Sequence, residues 1–437
     1  MSKWFEAFNS GDKEKILAFM RVHEPDRVEH IDETLGFRKQ TGGFTLVSIK
    51  RSEPREIEAI VKEKAGPNTA LMTLTVNGDD PPVIDSLGLR VIEEGGTAAA
   101  KPERMSEADA LAGLAKEAAA RAEKDAFAGT YAVARGGKVL AQGAFGLASR
   151  EKKTAASIDT QYRIGSMNKM FTAVAALQLV EAGKLSLDAP IGTYLKDYPN
   201  QDVATKVTLR HLLSHTGGTG DIFGPQYEKN RLALKTLDDY VKLYGGRAPE
   251  FEPGSRWRYS NYGFLLAGVL IEKASGMSYY DYVRQKVFKP AGMTHTDSLP
   301  ETEHVEQRST GYTKQGGQWV PNTETLPFRG TSAGGGYSTV GDLVKFAQAL
   351  QSGKLLSKKT LTLATSSQRG KTDGPSYGFG FGVEEDGSFG HGGGAPGMNG
   401  DLKIFPKSGY IVAVLANLDP PAAGRLASWF IDRMPER

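Results

Sequence analysis

The sequence predicts an α+β protein in two parts. A small N-terminal α+β block covers residues 1–94, and residues 107–437 form an antiparallel sheet flanked by terminal helices with an all-helical lobe inserted between its strands. Three observations carry this reading. Strand-like alternation occurs at both ends of the second part and is missing from its middle, 166–290, which reads as mostly helical. The stretch "EEGGTAAAKPERMSE" (93–107) is built of small residues, Gly and Pro, and reads as a linker over 95–106. A chain of 437 residues is also too long for one simple core, so two domains are expected.

The elements follow in order. "KWFEAFNSGDKEKILAFMRVH" places apolar residues at helical spacing, and a second short helical stretch lies near 26–37. "GFTLVSIKRS", "REIEAIVKEK", "TALMTLTVNG" and "IDSLGLRVIE" alternate apolar and polar residues between Gly, Pro and Asn turn signals, as antiparallel strands do. Trp4, Phe5 and Phe8 read as the core of this block. After the linker, "EADALAGLAKEAAARAEKDA" is a strong helix, and "GTYAVARGGKVLAQGAFGLAS" is two strands joined through "GG". The chain returns to strands in "YGFGFGVEE", "SFGHGGG" and "GDLKIFPKSGYIVAVLAN", then closes with the helix "AAGRLASWFIDRM".

Composition excludes several classes. A net charge of +3 is too close to neutral for a nucleic-acid or acidic-membrane partner. With no cysteine there is no disulfide framework, thiol nucleophile or Cys-ligated metal. The apolar runs "FTAVAAL" and "FLLAGVLI" are too short to span a bilayer, so no membrane span is expected. The N-terminus "MSKWFEAFNSGDKEK" lacks an apolar signal core. As written, the chain reads as cytoplasmic; it is periplasmic or secreted if Met1 stands in place of a removed leader.

Ser-x-x-Lys occurs three times, at Ser10/Lys13, Ser149/Lys152 and Ser166/Lys169. The first two lie in polar stretches. Ser166 alone follows a strand-like lead, "QYRIGS", and opens a long apolar-faced helix, "MNKMFTAVAALQLVEAGK". One turn separates Ser166 from Lys169, so their side chains share a face. A serine hydroxyl needs a nearby base to become a nucleophile, and a lysine can serve once burial lowers its pKa from about 10.4. The plainer alternative is an N-cap serine beside a solvated lysine. Tyr-x-Asn occurs at Tyr198-Pro199-Asn200, in a turn, and at Tyr259-Ser260-Asn261, at the edge of an apolar helix. His-x-Gly occurs in "HTGG" (215–218), which reads as the Gly-rich stop of the helix "LRHLLS", and in "HGGG" (391–394), on a strand. Glycines weaken a strand unless backbone must approach something closely, so this strand is read as a surface for substrate.

Ser166-Met-Asn-Lys169, Tyr259-Ser-Asn261 and His391-Gly-Gly393, 93 and then 132 positions apart, together resemble the serine β-lactamase and penicillin-binding-protein superfamily of class C type. "LRHLLSHTGG", "FEPGSRWRYSNYGFLLAGVLIEKASGMSYYDYV" and "SAGGGYSTVGDLVKFAQAL" are similar to its connecting segments, and the resemblance covers about 110–432. It implies an α/β sandwich of β-lactamase type and a serine hydrolase without metal or cofactor. By that resemblance Ser166 is the acylated nucleophile, Lys169 and Tyr259 form the proton-transfer pair, and Asn261, His391, Gly392 and Gly393 contact substrate. The backbone N–H groups of Ser166 and Gly394 make the oxyanion hole, where one donor is worth about 3 kcal/mol. Which of Lys169 and Tyr259 is the base stays open.

The third motif departs from the Lys-Thr-Gly usual in β-lactamases. His391 is mostly neutral near pH 7 and Gly392 has no hydroxyl, so a substrate carboxylate lacks a fixed cation. The pattern is nearest to family VIII carboxylesterases, and short-chain esters are the expected substrates. D-alanyl-D-alanine carboxypeptidase, D-aminopeptidase or weak β-lactamase activity are alternatives, as is a non-catalytic peptidoglycan-sensing binder. "GPSYG" (374–378) matches the Gly-x-Ser-x-Gly elbow, but its polar lead "SSQRGKTD" argues against Ser376. "FEAFNSGD" resembles α+β helper domains of the nuclear-transport-factor type, with a homodimer through the N-terminal block as the partner expectation. Trp319, Phe328 and Tyr337 line an acyl pocket or simply pack a loop.

Overall fold

The structure, a computed structural model, describes residues 1–66, 68–78, 80–92, 102–315, 317–368 and 376–435. The chain divides into two units, Met1–Pro102 and Glu103–Arg437. Residues 95–101 of the expected linker lie outside the described residues.

In the first unit the helical periodicity over residues 3–23 resolves into α1 (Ser2–Ser10) and α2 (Lys13–His23). Gly11 ends α1 with a left-handed φ of 66°, and the Asp12 carboxylate caps α2 by accepting from the Glu14 and Lys15 N–H groups. A 3₁₀ turn, Pro25–His30, then runs into α3 (Ile31–Thr41). The strands β1 (Phe44–Glu53), β2 (Glu56–Glu63), β3 (Thr69–Val76) and β4 (Ile84–Ile92) pair antiparallel in sequence order. Trp4 and Phe8 stack at 4.6 Å and bury with Phe44, Val61 and Met72; Phe5 packs edge-on against Trp4 at the margin of this core.

The second unit begins with α4 (Glu107–Glu123), capped by Ser106 and burying Ala110, Leu114 and Ala118 at four-residue spacing. The hairpin β5 (Gly129–Arg135) and β6 (Lys138–Phe145) turns through Gly136 and Gly137, both at positive φ, as a two-residue turn matched to strand twist requires. The helical middle supplies α5 (Asn168–Glu181), α6 (Leu209–Leu213) and α7 (Asn261–Ser275), followed by α8 (Val340–Gln351). The strands β7 (Gly382–Val383), β8 (Phe389–Ala395), β9 (Met398–Ile404) and β10 (Tyr410–Ala416) precede the closing helix α9 (Ala422–Arg433). They join one antiparallel sheet in the order β7-β8-β9-β10-β5-β6, so the last strands of this unit pair with its first.

Alternation along the central strands splits the core into two layers. Tyr131 and Val133 of β5, with Val412 and Val414 of β10, pack against α4 and α9. Ala132, Ala134, Ile411, Ala413 and Leu415 face the helical lobe and α8. The segment read as the strand "YGFGFGVEE" forms a strand only at Gly382–Val383, with an isolated bridge from Tyr377 back to Gly382. Upstream the chain turns tightly against α5. Gly380 has φ 74°, donates its N–H to the Leu213 carbonyl, and a Cβ there would sit 2.8 Å from the Lys169 carbonyl oxygen. Among the described residues, no helix is long and apolar enough to cross a membrane.

Candidate active site

Ser166 lies in the 3₁₀ turn Gly165–Met167 that leads straight into α5. Gly165 holds φ 52°, and its carbonyl accepts from the Gly335 N–H at 3.1 Å, which pins the turn to the glycine-rich segment 334–336. α5 is apolar on nearly every side and buried between sheet and lobe, so its first turn is fixed by packing. Asn168 donates to Tyr279 Oη at 3.0 Å and to the Thr331 carbonyl at 2.7 Å, anchoring the same turn from behind.

Lys169, one turn beyond Ser166, is fully buried. Its Nζ donates to Ser166 Oγ at 3.2 Å, Asn261 Oδ1 at 2.7 Å and the Ala333 carbonyl at 2.5 Å. These three acceptors match the three N–H bonds of an ammonium. Burial pulls the lysine pKa down to about 7, against the opposing pull of the Asp221 charge. When the ammonium loses one proton, Asn261 Oδ1 and the Ala333 carbonyl, which only accept, keep the two remaining N–H bonds. The lone pair is then left facing Ser166 Oγ.

Tyr259, Ser260 and Asn261 enter the site at the start of α7. Ser260 Oγ caps the helix through the Gly263 N–H, which sets the direction of the turn. Asn261 Nδ2 donates to both Asp221 carboxylate oxygens, at 2.9 and 3.2 Å, so the amide oxygen is directed at Lys169. The Tyr259 ring lies 4.6 Å from Lys169 Nζ, and its phenol lies close enough to the Ser166 side chain to interact with it. Burial holds the phenol pKa well above its ordinary value, so Tyr259 is protonated across the neutral range.

β8 passes the other side of Ser166. A Cβ on Gly393 would sit 1.9 Å from the Ile164 carbonyl oxygen, so only glycine lets this strand press on the serine turn. The sequence expects such a close approach from substrate; the contact the structure shows is with the protein's own backbone. A Cβ on Gly165 would come within 3.2 Å of the Gly394 nitrogen, which places that N–H beside the Ser166 turn. Gly392 is exposed. His391 is half-buried, and its Nδ1 contacts the Gly392 carbonyl. A carbonyl only accepts, so Nδ1 carries the proton and Nε2 accepts from Tyr377 Oη at 2.9 Å. Burial, and then the Lys169 charge, push the His391 pKa down to about 3, leaving a neutral ring.

The decoys lie elsewhere. Tyr198 is buried against Tyr262 Oη at 3.1 Å, and Asn200 caps the helix Gln201–Lys206. Ser376 precedes Tyr377 with its carbonyl bound to the Val383 N–H, and its lead, 369–375, lies outside the described residues. Trp319 packs in the layer under α4 and α9, beneath Arg150; Tyr337 pairs with Arg163 as a short bridge; Phe328 lies under the Lys235 ammonium. Three participants carry no signal in motif or spacing: Asp221, the Ala333 carbonyl and Tyr377. Each meets the site only through folding.

A serine and a low-pKa lysine opening one buried helix, between an α-lobe and the edge region of an antiparallel sheet, are the fold and site of a class of serine hydrolases that work through an acyl-enzyme. The β-lactamase family model matches residues 114–433, and the chain belongs to that family. PbpX of Bacillus subtilis (strain 168) is 34% identical over 294 residues, covering 66% of this chain and 70% of PbpX. Esterase EstB of Burkholderia gladioli is 29% identical over 286 residues, 57% of this chain and 73% of EstB. The crystal structure of a D-stereospecific amidohydrolase from Streptomyces sp. superposes with a TM-score of 0.60 at 29% identity, covering 72% of this chain and 97% of that one.

Proposed function

We propose that the chain is a carboxylesterase for short-chain esters, acting through an acyl-enzyme on Ser166. The observation that carries the reading is the three-acceptor cage around Lys169 Nζ, whose neutral form turns a lone pair toward Ser166 Oγ. Lys169 takes the serine proton as Oγ adds to the ester carbonyl. Tyr259, protonated and beside Ser166, hands a proton to the departing alkoxide. The Ser166 and Gly394 N–H groups stabilise the oxyanion. Water then repeats the sequence in reverse and releases the acid.

The preference for esters rests on His391. Its neutral ring, with the Nδ1 proton on the Gly392 carbonyl and Nε2 accepting from Tyr377, gives a substrate carboxylate no fixed positive partner, and Gly392 adds no side chain, which disfavours β-lactams and C-terminal peptide carboxylates. Similarity to EstB supports the ester reading, and similarity to the Streptomyces amidohydrolase supports D-amino-acid amides as the second reading. A panel of p-nitrophenyl acetate and butyrate, a chromogenic cephalosporin, a D-alanyl-D-alanine peptide and D-phenylalanine amide separates them. The esters are expected to give the highest kcat/KM. Faster cephalosporin turnover overturns the reading of His391, and faster amide turnover replaces the first reading with the second.

A further inference from the structure

"HTGG" reads from sequence as the stop of a helix, and α6 does end at Leu213. A stop of this kind calls for Gly or Asn at the left-handed position. The residue found there is His215, at φ 61° and fully buried. A non-glycine residue held in the left-handed region, with a large ring packed out of solvent, is a backbone cost that packing alone does not explain.

His215 grips the chain on both sides of Tyr259. Its carbonyl accepts from the Arg258 N–H at 2.9 Å, and its ring Nδ1 accepts from the Ser260 N–H at 3.1 Å. Between these two bonds the imidazole stacks on the Tyr259 ring, 4.2 Å between centroids and 33° between planes. Its remaining surroundings are Tyr377 at 4.7 Å, Phe264 of α7 at 5.1 Å and Trp257 at 5.8 Å. Because Nδ1 accepts a backbone proton, the neutral ring carries its own proton on Nε2, which is buried with no hydrogen-bond partner among the described residues. The ionisable groups around it are Tyr259, Tyr377, Lys169 and His391. Burial, with the nearby Lys169 charge, holds His215 neutral far below its ordinary pKa. Protonating Nδ1 would break the Ser260 bond, so neutrality and grip are one condition.

We propose that His215 is a positioning residue: it clamps the backbone on either side of Tyr259 and stacks on its ring, fixing the phenol over Ser166. This rests on the reading of Ser166 and Tyr259 given above. The same imidazole also packs against Tyr377, the donor to His391, 4.7 Å between centroids, so one buried ring touches residues that serve both the second and the third motif.

The test is His215→Gly, which suits the left-handed backbone, keeps the carbonyl that holds Arg258, and deletes the ring. Wild type is first labelled with a fluorophosphonate; failure to modify Ser166 in wild type would sink the reading of the site rather than this inference. Once wild type is shown to label at Ser166, unlabelled His215→Gly is expected to lose about 100-fold in kcat on p-nitrophenyl butyrate relative to unlabelled wild type, with KM within about threefold and a folded near-UV spectrum, because small misplacements of catalytic groups cost that much. Added imidazole is expected to refill the cavity and recover at least about tenfold, after subtraction of the rate of Ser166→Ala/His215→Gly in the same buffer. If His215→Gly does not fold, His215→Asn, which also accepts the left-handed backbone, takes its place with the same expected loss in kcat. An unchanged kcat, a loss confined to KM, or a folded His215→Gly that regains nothing in imidazole overturns the proposal.

Discussion

The same four-residue pattern, Ser-x-x-Lys, stands at 149–152 and at 166–169, and the two regions have nothing else in common. Ser149 ends a three-residue strand, and its hydroxyl accepts the backbone N–H of Lys152 at 3.3 Å while the Lys152 side chain is exposed. Ser166 opens a helix, its hydroxyl receives the Lys169 ammonium, and the lysine is sealed under α7 and the 331–336 segment. A helix sets residues three apart on one face; a turn spends the serine on its own backbone. Spacing supplies the pair, and burial supplies the chemistry, by moving a lysine from about 10.4 to about 7.

Substitutions at the two regions test that contrast. Ser166→Ala is expected to lower kcat for p-nitrophenyl butyrate on the order of 10⁴-fold or more, while Ser149→Ala stays within about twofold, both read by steady-state hydrolysis. Lys169→Ala is expected to cost about 10³-fold in kcat with a cooperative thermal transition retained, the scale of a lost general base. Lys152→Ala, with its side chain in solvent, is expected to change nothing measurable.

Two smaller effects probe the charge environment that separates the regions. Lys169 works only when neutral, so kcat/KM is expected to rise tenfold per pH unit up to a midpoint near 7 and then level. His391, held near 3, adds no limb of its own in that range. Asp221→Asn removes the charge that raises the Lys169 pKa, so this limb moves to lower pH. The variant also loses about tenfold in kcat, because an amide at 221 no longer dictates which way Asn261 points. His391→Lys is expected to act on substrate preference. It adds a fixed cation and shifts the kcat/KM ratio of a carboxylate-bearing ester to a neutral one by about tenfold, measured on a matched substrate pair.

Much of the architecture was legible because it is periodic. The four strands of the first unit, the β5–β6 hairpin at its two glycines, and the α4 and α9 helices all follow directly from apolar spacing and turn residues. The stretch around Gly380 was not, because three alternating glycines look like a weak strand and serve as a turn pressed onto α5. At the site, Ser166, Lys169, Tyr259, Asn261 and His391 stand in short patterns that a reader can find. Asp221 and Tyr377 do not: they contact motif residues 40 and 14 positions away, through bonds made only once the chain has folded. His215 was visible as part of a glycine-rich helix stop, and α6 does end there; that reading gives no sign of the contacts its ring makes. What distinguished it was a backbone angle and two bonds to one neighbouring segment, and neither is written in composition.

The central claim is that one serine of this chain is made nucleophilic by a buried neutral lysine. The most direct measurement is peptide mass spectrometry of the whole protein after fluorophosphonate treatment at several pH values. The account predicts a single adduct, on Ser166, forming at a rate that climbs with pH through a midpoint near 7. An adduct on Ser149 or any other serine, or no adduct under saturating probe while ester hydrolysis continues, contradicts it.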